Sequence, residues 1–123
     1  MKHNVSGCAV EEAMRLLGGR WRIVLLSYLM AGPKRFSEIR RAVPNISQRM
    51  LTLDLRALEE AGLLTRTIYA EVPVKVEYRL TDEGLRLREL VDMLRGIGLR
   101  LRGQADAGGP FLAAEAEPAD NSQ

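Results

Sequence analysis

The stretch Pro44–Leu64, PNISQRMLTLDLRALEEAGLL, carries two patterns at once. Leu51, Leu55 and Leu58 recur at the i, i+4, i+7 spacing of one helix face, and Gly62 follows. Arg49, Leu53, Arg56 and Glu60 fall on the opposite face. A face turned only to water has no use for Leu53, although a lone surface leucine is common. Ser47 supplies the hydroxyl that an N-cap needs, and Gly62 suits a helix stop. The spacing predicts a helix over 47–61, entered through the short turn VPNI at Val43–Ile46.

Upstream, Ser37 is placed to cap a short helix from Glu38 to about Ala42. The turn between the two helices is short enough to hold them at a steep angle, as in a helix-turn-helix. Downstream, Val74, Val76, Tyr78 and Leu80 alternate with Lys75, Glu77 and Arg79, the period of a strand. LLTRTIYA reads as the partner strand, with EVP (Glu71–Pro73) as the hairpin tip. Two helices come first. One covers about Ala9–Leu17 and stops at Gly18-Gly19; the other is the apolar RWRIVLLSYLM, broken by Gly32 and Pro33. Thr81, followed by Asp82 and Glu83, caps a long helix expected to reach about Arg102. This order defines a winged helix-turn-helix, mainly α with a small β-hairpin. It is expected to occupy residues 1–102, with 103–123 a disordered acidic tail.

The 123 residues fit one domain, and no run of about 18 apolar residues offers a membrane span. The first residues, MKHNVSGCAVEE, lack the apolar centre of a secretion signal, so a cytoplasmic protein is expected. The single cysteine, Cys8, excludes a disulfide within the chain. Net charge is only +2 but unevenly spread. From Lys34 to Arg56 six basic residues stand against two acidic ones, a net +4; residues 103–123 hold four acidic residues and no basic one, a net −4. A basic centre with an acidic end suits a polyanion-binding body, although a solvated face and a loose tail would give the same counts. Other chemistries lack their residues. The sole histidine, His3, lies near the terminus, so the fold offers no Ser-His or Cys-His pair. No phosphate- or dinucleotide-binding loop occurs, the GIG at Gly96–Gly98 being too short, and zinc ligands are missing. No catalytic residue, cofactor or metal is expected.

In a helix-turn-helix the second helix enters the major groove with its N-terminal residues against base edges. With the leucine stripe inside, Arg49, Leu53 and Arg56 face the groove, flanked by Gln48 and Thr52. Arginine pairs with guanine, glutamine with adenine, and an apolar side chain touches a thymine methyl, which gives Leu53 a role. Ser37 and Ser47, at helix N-termini, also stand where phosphates bind. Arg35, Arg40, Arg41 and Lys75 are candidates for phosphate contact, which positions without reading sequence. In the wing near 71–75, Glu71 offsets Lys75, so it should lie along the backbone. Trp21, at helical spacing with Val24, Leu25 and Tyr28, reads as core rather than as a ligand platform.

CAVE at Cys8–Glu11, GGRW at Gly18–Trp21, RFSEIRR at Arg35–Arg41, the recognition helix, YAEVPVKVEYRLT at Tyr69–Thr81 and the following Glu83-Gly84 resemble the HxlR-type winged-helix regulators of bacteria, relatives of the MarR group. The resemblance covers about Cys8 to Leu101 and implies a homodimeric, sequence-specific DNA-binding transcriptional regulator. It departs at Ala9, where the family usually has proline, and at Leu53, where a polar residue is more usual. The long helix bears the stripe Leu87, Leu90, Val91, Leu94, Ile97, Leu101, with Gly98 on it. A helical glycine costs about 1 kcal/mol against alanine, which close approach of a partner would offset. Leu90, Leu94, Ile97, Gly98 and Leu101 are therefore candidate dimer contacts, a fraying helix end being the other explanation for the glycines. Some members of the resembled family sense oxidants or electrophiles through a cysteine in this region. That makes Cys8 a candidate sensor of an unidentified oxidant or small-molecule effector, or else a small packing residue. The alternative function is a winged helix used for protein–protein contact, against which the exposed arginines argue.

Overall fold

Leu51, Leu55 and Leu58, at 0%, 1% and 0% exposure, anchor the fold from α4, Gln48–Glu60. The structure, a computed structural model, describes residues 7–106. His3 and residues 107–123, most of the expected acidic tail, lie outside the described residues. Before α4 come α1 (Ala9–Leu17), α2 (Arg22–Leu29), β1 (Lys34–Arg35) and α3 (Phe36–Ala42). After it come β2 (Leu64–Tyr69), β3 (Lys75–Leu80), α5 (Asp82–Leu85) and α6 (Arg88–Asp106). The chain divides into two units, one ending at Arg88 and one beginning at Glu89.

The first unit holds the helix-turn-helix and the wing. Its core joins Leu25, Leu26 and Leu29 of α2, Ile39 of α3, the three leucines of α4, and Leu64, Tyr78 and Leu80 of the sheet. Trp21 packs partly buried against this core, as its helical spacing suggests. Ser47 caps α4, its Oγ accepting from the Met50 amide at 3.0 Å. At the other end Gly62 turns into the left-handed region at φ +84, where glycine is favoured. The Leu63 amide then donates to the Leu58 carbonyl and the Gly62 amide to the Glu59 carbonyl, both at 3.0 Å. These two bonds form a Schellman stop that leads directly into β2.

The sheet is antiparallel in the order β1-β3-β2, with Leu64 opposite Leu80 and Tyr69 opposite Lys75. The two-residue β1, which the sequence does not announce, pairs Lys34 with Tyr78. It also shifts the start of α3 from the expected position. Arg35, not Ser37, is the N-cap of α3, held extended by the pairing of Arg35 with Glu77. The Glu38 carboxylate accepts from the Arg35 amide at 2.8 Å, the contact a capping side chain at the third helical position makes. That bond, first, holds the Glu38 pKa below its usual value, with the charges of Lys34, Arg35 and Arg41 acting the same way and desolvation opposing. Ser37 therefore lies inside the first turn.

The long helix starting at Thr81 is also corrected. Thr81 caps only the short α5, its Oγ1 accepting from the Gly84 amide at 3.1 Å while donating to the Gly62 carbonyl at 2.6 Å. A Cβ at Gly84 would collide with the Leu63 carbonyl, so α5 docks on the Schellman turn through a glycine. Leu87 packs against the core, and the helix restarts at Arg88. In the second unit α6 continues to Asp106, beyond the expected Arg102.

Candidate nucleic-acid interface

The side of α4 away from the core is built as its periodicity implies. Arg49, Arg56 and Glu60 are exposed, Leu53 is 45% exposed and Thr52 is half-buried. Gln48 opens the helix, exposed, beside the capping Ser47. Arg40 and Arg41 in the last turn of α3 share a hollow with Ser37, Pro44 and Ile46. A contact joins the two helices: Arg40 Nη1 donates to Gln48 Oε1 at 2.9 Å. Arg40 thus touches a candidate base-reading side chain as well as facing solvent.

On the wing side, Arg35, Ser37, Arg66, Glu71 and Lys75 line a groove of 500 Å³ between α3 and the hairpin. Three cations and one acid suit the passage of a phosphate backbone. Arg66 is a cation the sequence reading missed. It sits on β2, its Nε 3.3 Å from Glu59 Oε1 at the end of α4. Lys75 Nζ stands 4.4 Å from the centre of the Tyr69 ring, so this wing cation rests on an aromatic face. Arg66 of this groove is thus ion-paired, as are Arg15, Arg22, Arg79, Arg86 and Arg95 elsewhere. Among the described residues, none of Arg35, Arg40, Arg41, Arg49 and Arg56 is in an ion pair within 4.0 Å. Unneutralised guanidinium groups gathered on one side are what a polyanion site requires.

Asp54 was also missed as a structural residue. It lies three residues after Leu51, 6% exposed, and receives Arg22 Nε at 3.0 Å. Its position beside the leucine stripe was the available signal; its partner, 32 residues earlier, had none.

Cys8 is a free, half-buried thiol at the N-cap of α1, its Sγ accepting from the Glu11 amide at 3.5 Å. Of the candidate dimer contacts, Leu90, Leu94 and Ile97 are exposed on α6, and Gly98 and Leu101 are half-buried. A Cβ at Gly98 would meet nothing within 4 Å, so the described chain leaves that space open. Among the described residues no cluster of metal-ligating side chains occurs, and no helix is long and apolar enough to cross a membrane.

The fold and this surface define a winged helix-turn-helix protein of the DNA-binding type. The model of the HxlR-like helix-turn-helix family matches residues 16–105. The chain belongs to that family: it is a transcriptional regulator of the HxlR type. It is 43% identical over 100 residues to the uncharacterized HTH-type transcriptional regulator YdeP of Bacillus subtilis, covering 81% of this chain and 78% of that one. The solved structure of the redox regulator HypR in its oxidized form superposes with a TM-score of 0.73 at 44% identity, covering 76% of this chain and 96% of HypR. The reduced form of the transcriptional regulator YodB of Bacillus subtilis gives 0.59 at 37% identity, covering 92% of this chain and 98% of YodB.

Proposed function

We propose that this regulator works in the cytoplasm and binds duplex DNA as a homodimer, with α4 in the major groove. Gln48, Arg49, Thr52, Leu53 and Arg56 face base edges, and Arg35, Ser37, Arg40, Arg41, Ser47 and Lys75 face the backbone. Arg66 joins that second group. The observation that carries the reading is the set of arginines on α3 and the outer side of α4 that, among the described residues, form no ion pair with a carboxylate. A protein-binding winged helix would have no need of that concentration of uncompensated charge. Two protomers joined through α6, at Leu90, Leu94, Ile97, Gly98 and Leu101, with help from α1, set the α4 helices about 34–36 Å apart, one turn of DNA. With about four to eight phosphates contacted per dimer, log affinity against log salt should fall with a slope of roughly −4 to −7. Affinity that stays flat from low to moderate salt would remove the reading.

Cys8 is the candidate sensor of this regulator. The reading is supported by its place as a free thiol at the α1 N-cap, and by the redox behaviour named for HypR. Oxidation would join Cys8 to the partner's cysteine or to a small thiol, passing two electrons and two protons to the oxidant. A thiol oxidant should change the DNA affinity of the wild-type protein and leave Cys8→Ser unaffected. An equal response in both proteins would assign Cys8 to packing alone.

A further inference from the structure

We infer that the Arg22–Asp54 ion pair is a positioning device: it fixes the roll of α4, and with it the aim of Arg49, Leu53 and Arg56. The inference rests on the DNA-reading face proposed above. Asp54 is the one charged residue buried among the described residues, at 6% exposure, in a helix side otherwise made of Leu51, Leu55 and Leu58. Arg22 Nε donates to Asp54 Oδ1 at 3.0 Å, and Arg22 Nη1 donates to the Leu16 carbonyl at 2.8 Å. Leu16 lies in the last turn of α1, where carbonyls lack partners within the helix. One guanidinium thus joins the end of α1, the start of α2 and the middle of α4.

Stability alone is a poor reason for such a pair. Desolvating two charges takes back much of their attraction, and well-packed apolar residues of similar volume often do as well or better. Direction is what the leucines do not supply. Apolar contact is non-directional, so a helix resting on leucines keeps most of its burial through a small roll. With side-chain ends about 5–6 Å from the axis, a roll of about 20° moves each by about 2 Å. A shift of that size across the bond stretches 3.0 Å to about 3.6 Å, and one that draws the ends apart along the bond takes it further, in both cases beyond hydrogen-bonding range. Across the helix, the same roll carries Arg49 and Arg56 by at least as much, out of register with a base edge. The bond to Asp54 and the contacts to bases therefore share one geometric tolerance.

The test replaces the pair by apolar residues, Arg22→Met with Asp54→Leu, and measures two affinities at equal salt. One is for a duplex that the wild-type protein selects from a random pool; the other is for random-sequence duplex. We expect a folded protein whose random-duplex affinity stays within about twofold of wild type. Its affinity for the selected duplex should fall about tenfold or more, the loss of roughly one base contact. Arg22→Lys, which keeps the charge but not the two-pronged reach, should fall between. Asp54→Ala, assayed where its circular dichroism is native, gives the same comparison should the double variant fail to fold. A folded variant with the wild-type ratio of the two affinities overturns the positioning role and leaves the DNA reading intact. A wild-type protein that selects no sequence overturns both.

Discussion

Helices α4 and α6 are both amphipathic, and they differ in what their outer sides leave unsatisfied. In α4 the apolar stripe is consumed inside the first unit: Leu51, Leu55 and Leu58 are closed off, and what remains outside is Arg49 and Arg56 with Gln48, Met50, Leu53 and Glu60. In α6 the surplus is apolar. Leu90, Leu94 and Ile97 are exposed, and Met93 and Leu99 reach 68% and 56%. An outer side rich in unpaired arginine gains most from a polyanion; one rich in exposed leucine gains most from removing that surface from water. Two helices of similar amphipathicity thus suit different partners because their leftovers differ.

The sharpest way to break this contrast is at the leucines. Leu55→Ala should cost about 2–5 kcal/mol of folding stability, the usual range for emptying a packed leucine site. Leu53→Ala, two residues away, should change stability by less than about 0.5 kcal/mol, as exposed substitutions do. It should still weaken binding where a thymine methyl lies beneath it. Thermal unfolding checks both, and a large loss from Leu53→Ala would mean that the helix is phased wrongly. The next effect is assembly. Leu94→Asp should convert a dimer into a monomer or an unfolded chain, read by sedimentation. A folded wild-type monomer at micromolar concentration would remove the role given to α6.

Most of the fold was legible because its signals are local. The leucine spacing, the Ser47 cap and the Gly62 stop lie within one segment, and each appears in the structure as the hydrogen bond or burial it implies. What was not legible depends on distant segments. Ser37 is a good capping residue by type, but Arg35 takes the position because β1 pairs with β3, some 40 residues on. The break after Leu85 carries no proline; it reflects Leu87 reaching the core and Gly84 seated under the Leu63 carbonyl. At the interface, the exposed positions on α4 follow from periodicity, whereas the Arg40–Gln48 bond, the Arg66 contribution and the Arg22–Asp54 pair depend on which elements meet.

The measurement that bears most directly on base reading by α4 compares Arg49→Ala with Arg41→Ala. Arg41 serves better than Arg40 as the backbone control, because Arg40 is bonded to Gln48. Arg49→Ala should cost about 1–3 kcal/mol on the preferred duplex and less on random duplex, relaxing the specificity. Arg41→Ala should lower both affinities by a similar factor and reduce the salt slope by about two, roughly one for each protomer of the dimer. Should Arg49→Ala also lower both affinities equally, Arg49 is a phosphate contact, and α4 does not read sequence through it.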